Sequence, residues 1–220
     1  GSDYTAAIFA YALNAESVTI WKDVPGVLNG DPRVFENTKL LNQISYTEAI
    51  ELAFYGASVI HPKTLQPLQR KEIPLYVRSF LNPEGAGTSV SKGKMLEPHI
   101  PCYILKPKQV LIRLSSLDFS FMVEDNISEV FALLYQYQMR VDLIQNSAIS
   151  FSVCVNNKYD RLEELLQILR SKFKVTVFEN VDLYTVRHFD TEALTTIEAK
   201  KDKILLEQRA QETIQYVVEQ

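Results

Sequence analysis

The run ISFSVCV, residues 149–155, sends Ile149, Phe151, Val153 and Val155 to one side and Ser150, Ser152 and Cys154 to the other. Alternation of this kind marks a β-strand, because successive side chains of an extended chain leave on opposite faces. Upstream, Arg140–Gln145 reads as a neighbouring strand. Before it, Asn126 and Glu129 cap a helix whose apolar face is Ile127, Val130, Phe131, Leu134 and Tyr137. Val110–Leu114 supplies the strand ahead of that helix, and Tyr103–Leu105 another across a Lys-Pro-Lys turn. Downstream, an Asn156-Asn157 turn and an Asp160/Glu163 cap lead into a helix carrying Leu162, Leu165, Leu166 and Leu169, and Lys174–Phe178 closes as a strand. The order is βαββαβ in about 70 residues, the ferredoxin-like split pattern: a small antiparallel sheet covered by two helices.

After this unit the sequence gives a strand (181–188), a helix (191–199) and two strands (204–209 and 213–218), only βαββ. The missing helix–strand pair exists upstream as 62–70 and 74–79. The reading is therefore of two βαββαβ units, the first (94–180) inserted in the second (61–93 and 181–220), preceded by an α/β part at 1–60. In that part a helix spans 4–13, with Ser2 or Asp3 suited to cap it, and Val18–Trp21 is a buried strand. Ser45 and Glu48 form a capping box before the next helix, with Gly56 as its stop, and His61-Pro62 opens another. A chain that begins on a helix cap with no leading strand reads as the back of a larger domain.

The net charge of −4 and the absence of any dense Lys/Arg run argue against a nucleic-acid or anionic-membrane binder. Apolar residues at 46% and charged residues at 23% are ordinary for a globular protein. No apolar run approaches the length of a membrane span, and no signal peptide is recognisable, so the expected location is cytoplasmic. Cys102 and Cys154 lie in apolar strands and read as buried free thiols, and neither CxxC nor HExxH spacing is present.

Four further strings stand in one order: GSDYTAAIFAYALNA (1–15), VTIWKDVPGVLNGDPR (18–33), SYTEAIELAFYGASVIHPKTL (45–65) and IPLYVRSFLNPEGAGTSV (73–90). Together they resemble the aspartate kinases, and VDLIQNSAISFSV (141–153) resembles the ACT-type regulatory sequence of the same family. The resemblance implies the C-terminal part of an amino-acid kinase α/β domain followed by tandem ACT units. It also implies ATP-dependent phosphorylation of the aspartate β-carboxylate, with Mg²⁺ and without a P-loop, at the start of lysine, threonine and methionine synthesis. In such phosphoryl transfer the protein mostly positions its substrates and neutralises charge.

By the same resemblance Ser2 and Asp3 match the aspartate-binding Ser-Asp, and Asp23, Asp31 and Arg33 match ATP-contacting positions, where an Arg fork suits phosphate oxygens. Read alone, Asp31-Pro32-Arg33 is only a turn. Lys22 stands where many bacterial members have Thr. Ser58 replaces a nucleotide-facing Lys, a loss of charge that Lys22 or Lys63 would have to make good. The family's Lys-Phe-Gly-Gly motif, source of the catalytic Lys, is not in these residues, so the chain is expected to be inactive by itself.

The implied effector region is Ser120–Ile127, with Asp125, Asn126 and Ile127 at the helix start and Asp142, Asn146 and Ser147 on the facing strand. Asp142 is the first choice to pair an effector ammonium. The acidic loop favours lysine, then threonine. The family's helix-head Gly is lost within Glu124-Asp125-Asn126, which leaves loss of sensing open. A homodimer through the ACT units is expected, with a strand such as Ile149–Val155 pairing across a two-fold axis. The alternative to an enzyme segment is a non-catalytic ACT subunit that senses amino acids or holds a dimer together.

Overall fold

The computed structural model describes residues 1–57, 59–118, 120–198 and 203–220, which form two compact units. One comprises 1–104 and 185–196, the other 105–184 and 197–220.

In the first unit α1 (Ser2–Leu13) leads into β1 (Val18–Lys22), and after a long loop come β2 (Gln43–Ser45), α2 (Tyr46–Tyr55), α3 (Pro62–Lys71), β3 (Leu75–Ser79) and β4 (Thr88–Ser91). The sheet order is β1-β3-β4-β2; β1–β3 and β2–β4 are parallel, and β3–β4 is antiparallel. Gly1, not Ser2 or Asp3, is the N-cap of α1, and no side chain caps it. The later helices start as their sequences ask: Ser45 Oγ accepts the Glu48 N–H at 3.0 Å, and His61 Nδ1 accepts the Lys63 N–H at 3.1 Å with Pro62 leading α3. Ala7, Leu41, Ile44, Leu65, Leu68 and Leu75 lie at the centre of the core.

The segment 62–79 is not part of the second regulatory unit. β3 pairs with β1 in register from Val18↔Leu75 to Lys22↔Ser79, so this helix and strand belong to the N-terminal sheet and no boundary falls at residue 60. The physical reason is that a parallel partner for β1 needs a crossover of a dozen or more residues, which 23–74 supplies.

The second sheet holds β5 (Cys102–Ser115), β6 (Arg140–Asn146), β7 (Ser150–Asn156), β8 (Lys174–Arg187), β9 (Lys203–Arg209) and β10 (Thr213–Glu219), in the order β6-β7-β5-β8-β10-β9. Its first four places reproduce the ferredoxin-like arrangement, with α4 (Glu124–Gln136) and α5 (Leu162–Lys172) as the crossover helices. β8-β10-β9, with α6 (Thr191–Glu198) between β8 and β9, repeats three places of the same arrangement, and β5 lies where its fourth strand belongs. β7 pairs only with Val110–Ser115 of β5. The leading part of β5 is therefore the strand that the sequence reading had sought at 74–79, and the first unit still interrupts the second.

Each of the two long strands was expected as two. They bend at Lys108 (φ 55°) and Asn180 (φ 54°) without breaking.

One face of this sheet packs Val110, Ile112, Phe151 and Val153 against Leu165 and Leu169 of α5. The opposite face is also dry, and every strand contributes: Leu111, Leu143, Cys154, Leu183, Leu206 and Val217 form one buried cluster. Strand β9 sits three places from β5 and five from β6. Even so, Arg113 Nη2 donates to the Leu205 carbonyl, and Gln145 Nε2 donates to that of Glu207 at 3.3 Å. The sheet therefore folds over on itself into a sandwich. β7 is interior, flanked by β6 and β5, so the outer strands of this sheet are β6 and β9 and not 149–155.

Candidate functional site

The carboxyl end of β1 and the start of α1 meet through one ion pair: Lys22 Nζ lies 2.7 Å from Asp3 Oδ2, both half-buried. Strand ends beside helix N-termini are where α/β sheets bind anions, because free N–H groups and the helix dipole point there. Ser2 is exposed in the same first turn, and Asp23 is exposed at the head of the following loop.

That loop is held by buried hydrogen bonds. Thr88 Oγ1 accepts the Val27 N–H at 2.8 Å and donates to the Leu41 carbonyl at 2.6 Å. Asn29 Nδ2 donates to the Pro101 carbonyl, and Asn29 Oδ1 accepts the Lys39 N–H. The pin on Thr88 requires Gly87, whose φ is +69° and whose substituent would come within 2.1 Å of the Val77 carbonyl oxygen.

At the loop's tip Asp31 and Arg33 grip each other. The Arg33 N–H, Nε and Nη2 all donate to the Asp31 carboxylate, with Nη2 at 2.7 Å, while the guanidinium remains exposed to solvent. These bonds hold the Asp31 carboxyl below the usual carboxylate range. Arg33 is thus a charged fork held by Asp31 at the surface of a pinned loop. Ser58 lies outside the described residues. Its neighbours Ala57 and Val59 line a small apolar pocket with Val27, Leu52 and Ala53, which sets the turn after α2 against the loop after β1.

In the second unit the Met122 N–H donates to the Ala148 carbonyl at 2.9 Å, drawing the loop before α4 onto the β6–β7 turn. This sets the loop that carries Ser120 against the turn that follows Asn146, with Asp125, Asn126 and Ile127 in the first turn of α4 just beyond it. Ser120 and Asp125 are exposed, and Asn146 and Ser147 are exposed at the end of β6. Asn126 Oδ1 accepts the Val123 N–H, so Asn126 serves from inside the first turn and Val123 is the N-cap. Ile127 packs toward the helix-side core.

Asp142 does not join them. It lies four residues back on β6, about 13 Å along the strand. It is buried, and its Oδ1 is 2.7 Å from Lys106 Nζ and 3.4 Å from Arg140 Nε. A strand irregularity between Val141 and Leu143 turns it inward. Its charge is already matched.

The sequence reading missed Arg187 and His188, which pair with Glu48 inside the first unit. The signal was Arg and His side by side at the end of an apolar strand.

Residues 1–79 match the sequence model of the amino acid kinase family. The lysine-sensitive aspartokinase 3 of Escherichia coli is 40% identical over 156 residues, which cover 71% of this chain and 34% of that protein. The crystal structure of E. coli aspartokinase III in complex with lysine and aspartate superposes with a TM-score of 0.79 at 32% identity, covering 100% of this chain and 52% of that one. The chain belongs to the aspartate kinase family. A second crystal structure of the E. coli enzyme, in complex with aspartate and ADP, gives a TM-score of 0.78 at 32% identity with the same coverage. The chain thus spans between a third and about half of the length of these relatives. Among the described residues no helix is long and apolar enough to cross a membrane.

Proposed function

We propose that this chain carries the nucleotide side and the regulatory side of an aspartate kinase: an ATP site on the first unit and an amino-acid effector site on the second. The observation that supports this most is the pinned 23–41 loop, which carries the Asp31–Arg33 pair and runs on from the end of β1 where Lys22 meets Asp3. Arg33 and Lys22 would neutralise phosphate charge, and Ser2 and Asp3 would face aspartate. Mg²⁺ would travel with the nucleotide, since this ion keeps most of its waters and needs only one or two carboxylates, such as Asp23. Phosphorylation of the aspartate β-carboxylate would require the family's catalytic Lys, which these 220 residues do not contain.

The effector would sit between Ser120–Ile127 and Asn146–Ser147, and lysine is the first ligand to test because the loop is acidic and the E. coli relative is lysine-sensitive. Asp142 would support the strand rather than touch the ligand. Two copies would associate edge to edge along β6, in the cytoplasm.

Isothermal titration with MgADP and then lysine tests both sites. The reading predicts heat with each, a severalfold weaker MgADP affinity in Arg33→Ala, and loss of the lysine signal in Asp125→Asn. An absence of MgADP binding by the folded chain would overturn the nucleotide assignment. Absence of a lysine or threonine signal would leave the second unit as a dimerisation device.

A further inference from the structure

Glu48 is the third residue of α2, where a capping-box glutamate turns its carboxylate back to the N-cap N–H. Ser45 makes its half of the box, but the Glu48 carboxylate faces elsewhere. Arg187 Nε and Nη2 donate to its two oxygens at 2.9 and 2.8 Å, and His188 Nε2 lies 3.1 Å from Oε2. Glu51 Oε2 stands 3.6 Å from Arg187 Nη1, and the His99 ring meets that of His188 at 5.1 Å between centroids. The Glu48, Arg187 and His188 side chains are only 8–10% exposed.

Buried ion clusters of this kind are seldom more stabilising than apolar side chains of equal volume, and their best-attested use is to fix geometry. What is fixed here is α2. Leu52 and Ala53 on this helix support both segments assigned to the nucleotide: Val27 of the loop after β1, and Ala57 and Val59 of the turn after α2. Arg187 arrives from residues 185–196, which fold with the first unit although they follow the regulatory unit in sequence.

We propose that Arg187, backed by His188, is a positioning residue of the nucleotide site: by holding Glu48 it sets α2, and with it the spacing of the two segments that receive ATP. The inference rests on the nucleotide reading above.

The test is titration of MgADP into the wild-type chain, Arg187→Lys, Glu48→Gln and the double variant Arg187→Met/Glu48→Met. Arg187→Lys keeps the charge but loses the two-pronged fork. The double variant removes both charges together, so it folds where a single truncation would strand a buried ion. The expected result is MgADP binding about 10-fold weaker in all three, because misplaced positioning groups no longer meet the nucleotide in register, with the melting temperature of the double variant near wild type. A purely structural role predicts that affinity returns with stability in the double variant; MgADP binding there within twofold of wild type overturns the inference. If the wild-type chain binds no MgADP, the nucleotide reading fails and the inference with it. Wild-type binding that every folded variant matches overturns the inference alone.

Discussion

The two units bury their interiors by different means. The second is a folded-over sheet with apolar clusters on both faces and a buried ion pair, Lys106–Asp142. The first surrounds its core with polar fixtures: Thr88 pinning a loop, Gly87 against a carbonyl, and Glu48 locked by Arg187 and His188. Apolar packing tolerates repacking at constant volume, whereas directional bonds do not. A unit that must hold charged loops in one geometry uses the second kind, and the comparison can be broken at specific residues.

The largest effect is expected at Gly87. Gly87→Ala places a methyl in the Val77 carbonyl and forces a side chain into a left-handed φ, which should cost about 3–5 kcal/mol in urea unfolding and melt the first unit before the second. Next is the acid limb of stability. Burial pushes the Glu48 carboxyl up, but the hydrogen bonds and charge of Arg187, with His188 close by, outweigh it and hold the pKa at about 2. A depressed carboxylate stabilises the fold above its unfolded pKa and loses that contribution as pH falls through the folded one. The first unit should therefore weaken from about pH 4.5 down to about pH 2, and Glu48→Gln should flatten that limb in a pH-dependent melting series.

A smaller loss, about 1–3 kcal/mol, is expected for Asp142→Asn, which leaves Lys106 facing a neutral amide in a mostly buried position. Lysine binding by this variant should persist if Asp142 is structural, and titration of the purified variant decides it. The smallest effect on stability is expected at Arg33. Arg33→Ala should leave the melting temperature unchanged, because the side chain is exposed, while MgADP affinity falls severalfold. Burial raises both thiols to about 12, so Cys102 and Cys154 should resist alkylation at pH 8 until the chain unfolds.

The same contrast explains what the sequence disclosed. Periodic burial is written in the chain, so Ile149–Val155, the leucines of α5 and the order βαββαβ were all readable from local pattern. Ile149 itself falls outside β7 and is half-exposed, because the turn from Ser147 to Ser150 claims it. The two 14-residue strands were read as pairs because Lys-Pro-Lys and the Glu179-Asn180 step look like turns, yet each only bends. Short β2 and β4 carry too few residues to show a period. The Asp31-Pro32-Arg33 turn is legible because its bonds are local, while its nucleotide role rests on the family resemblance. Arg187 was not, because its partner lies 139 residues away and no local rule links a strand end to a helix start. The pairing of Asp142 with Lys106 is not legible, because Lys106 lies within the Lys-Pro-Lys run that reads as a turn.

Hydrogen exchange of the whole chain, alone and with MgADP or lysine, tests the division of labour most directly. The account predicts slowed exchange with MgADP confined to 20–36 and 45–61, and with lysine confined to 116–127 and 144–150. Protection by MgADP in the second unit, or none in the first, would contradict it.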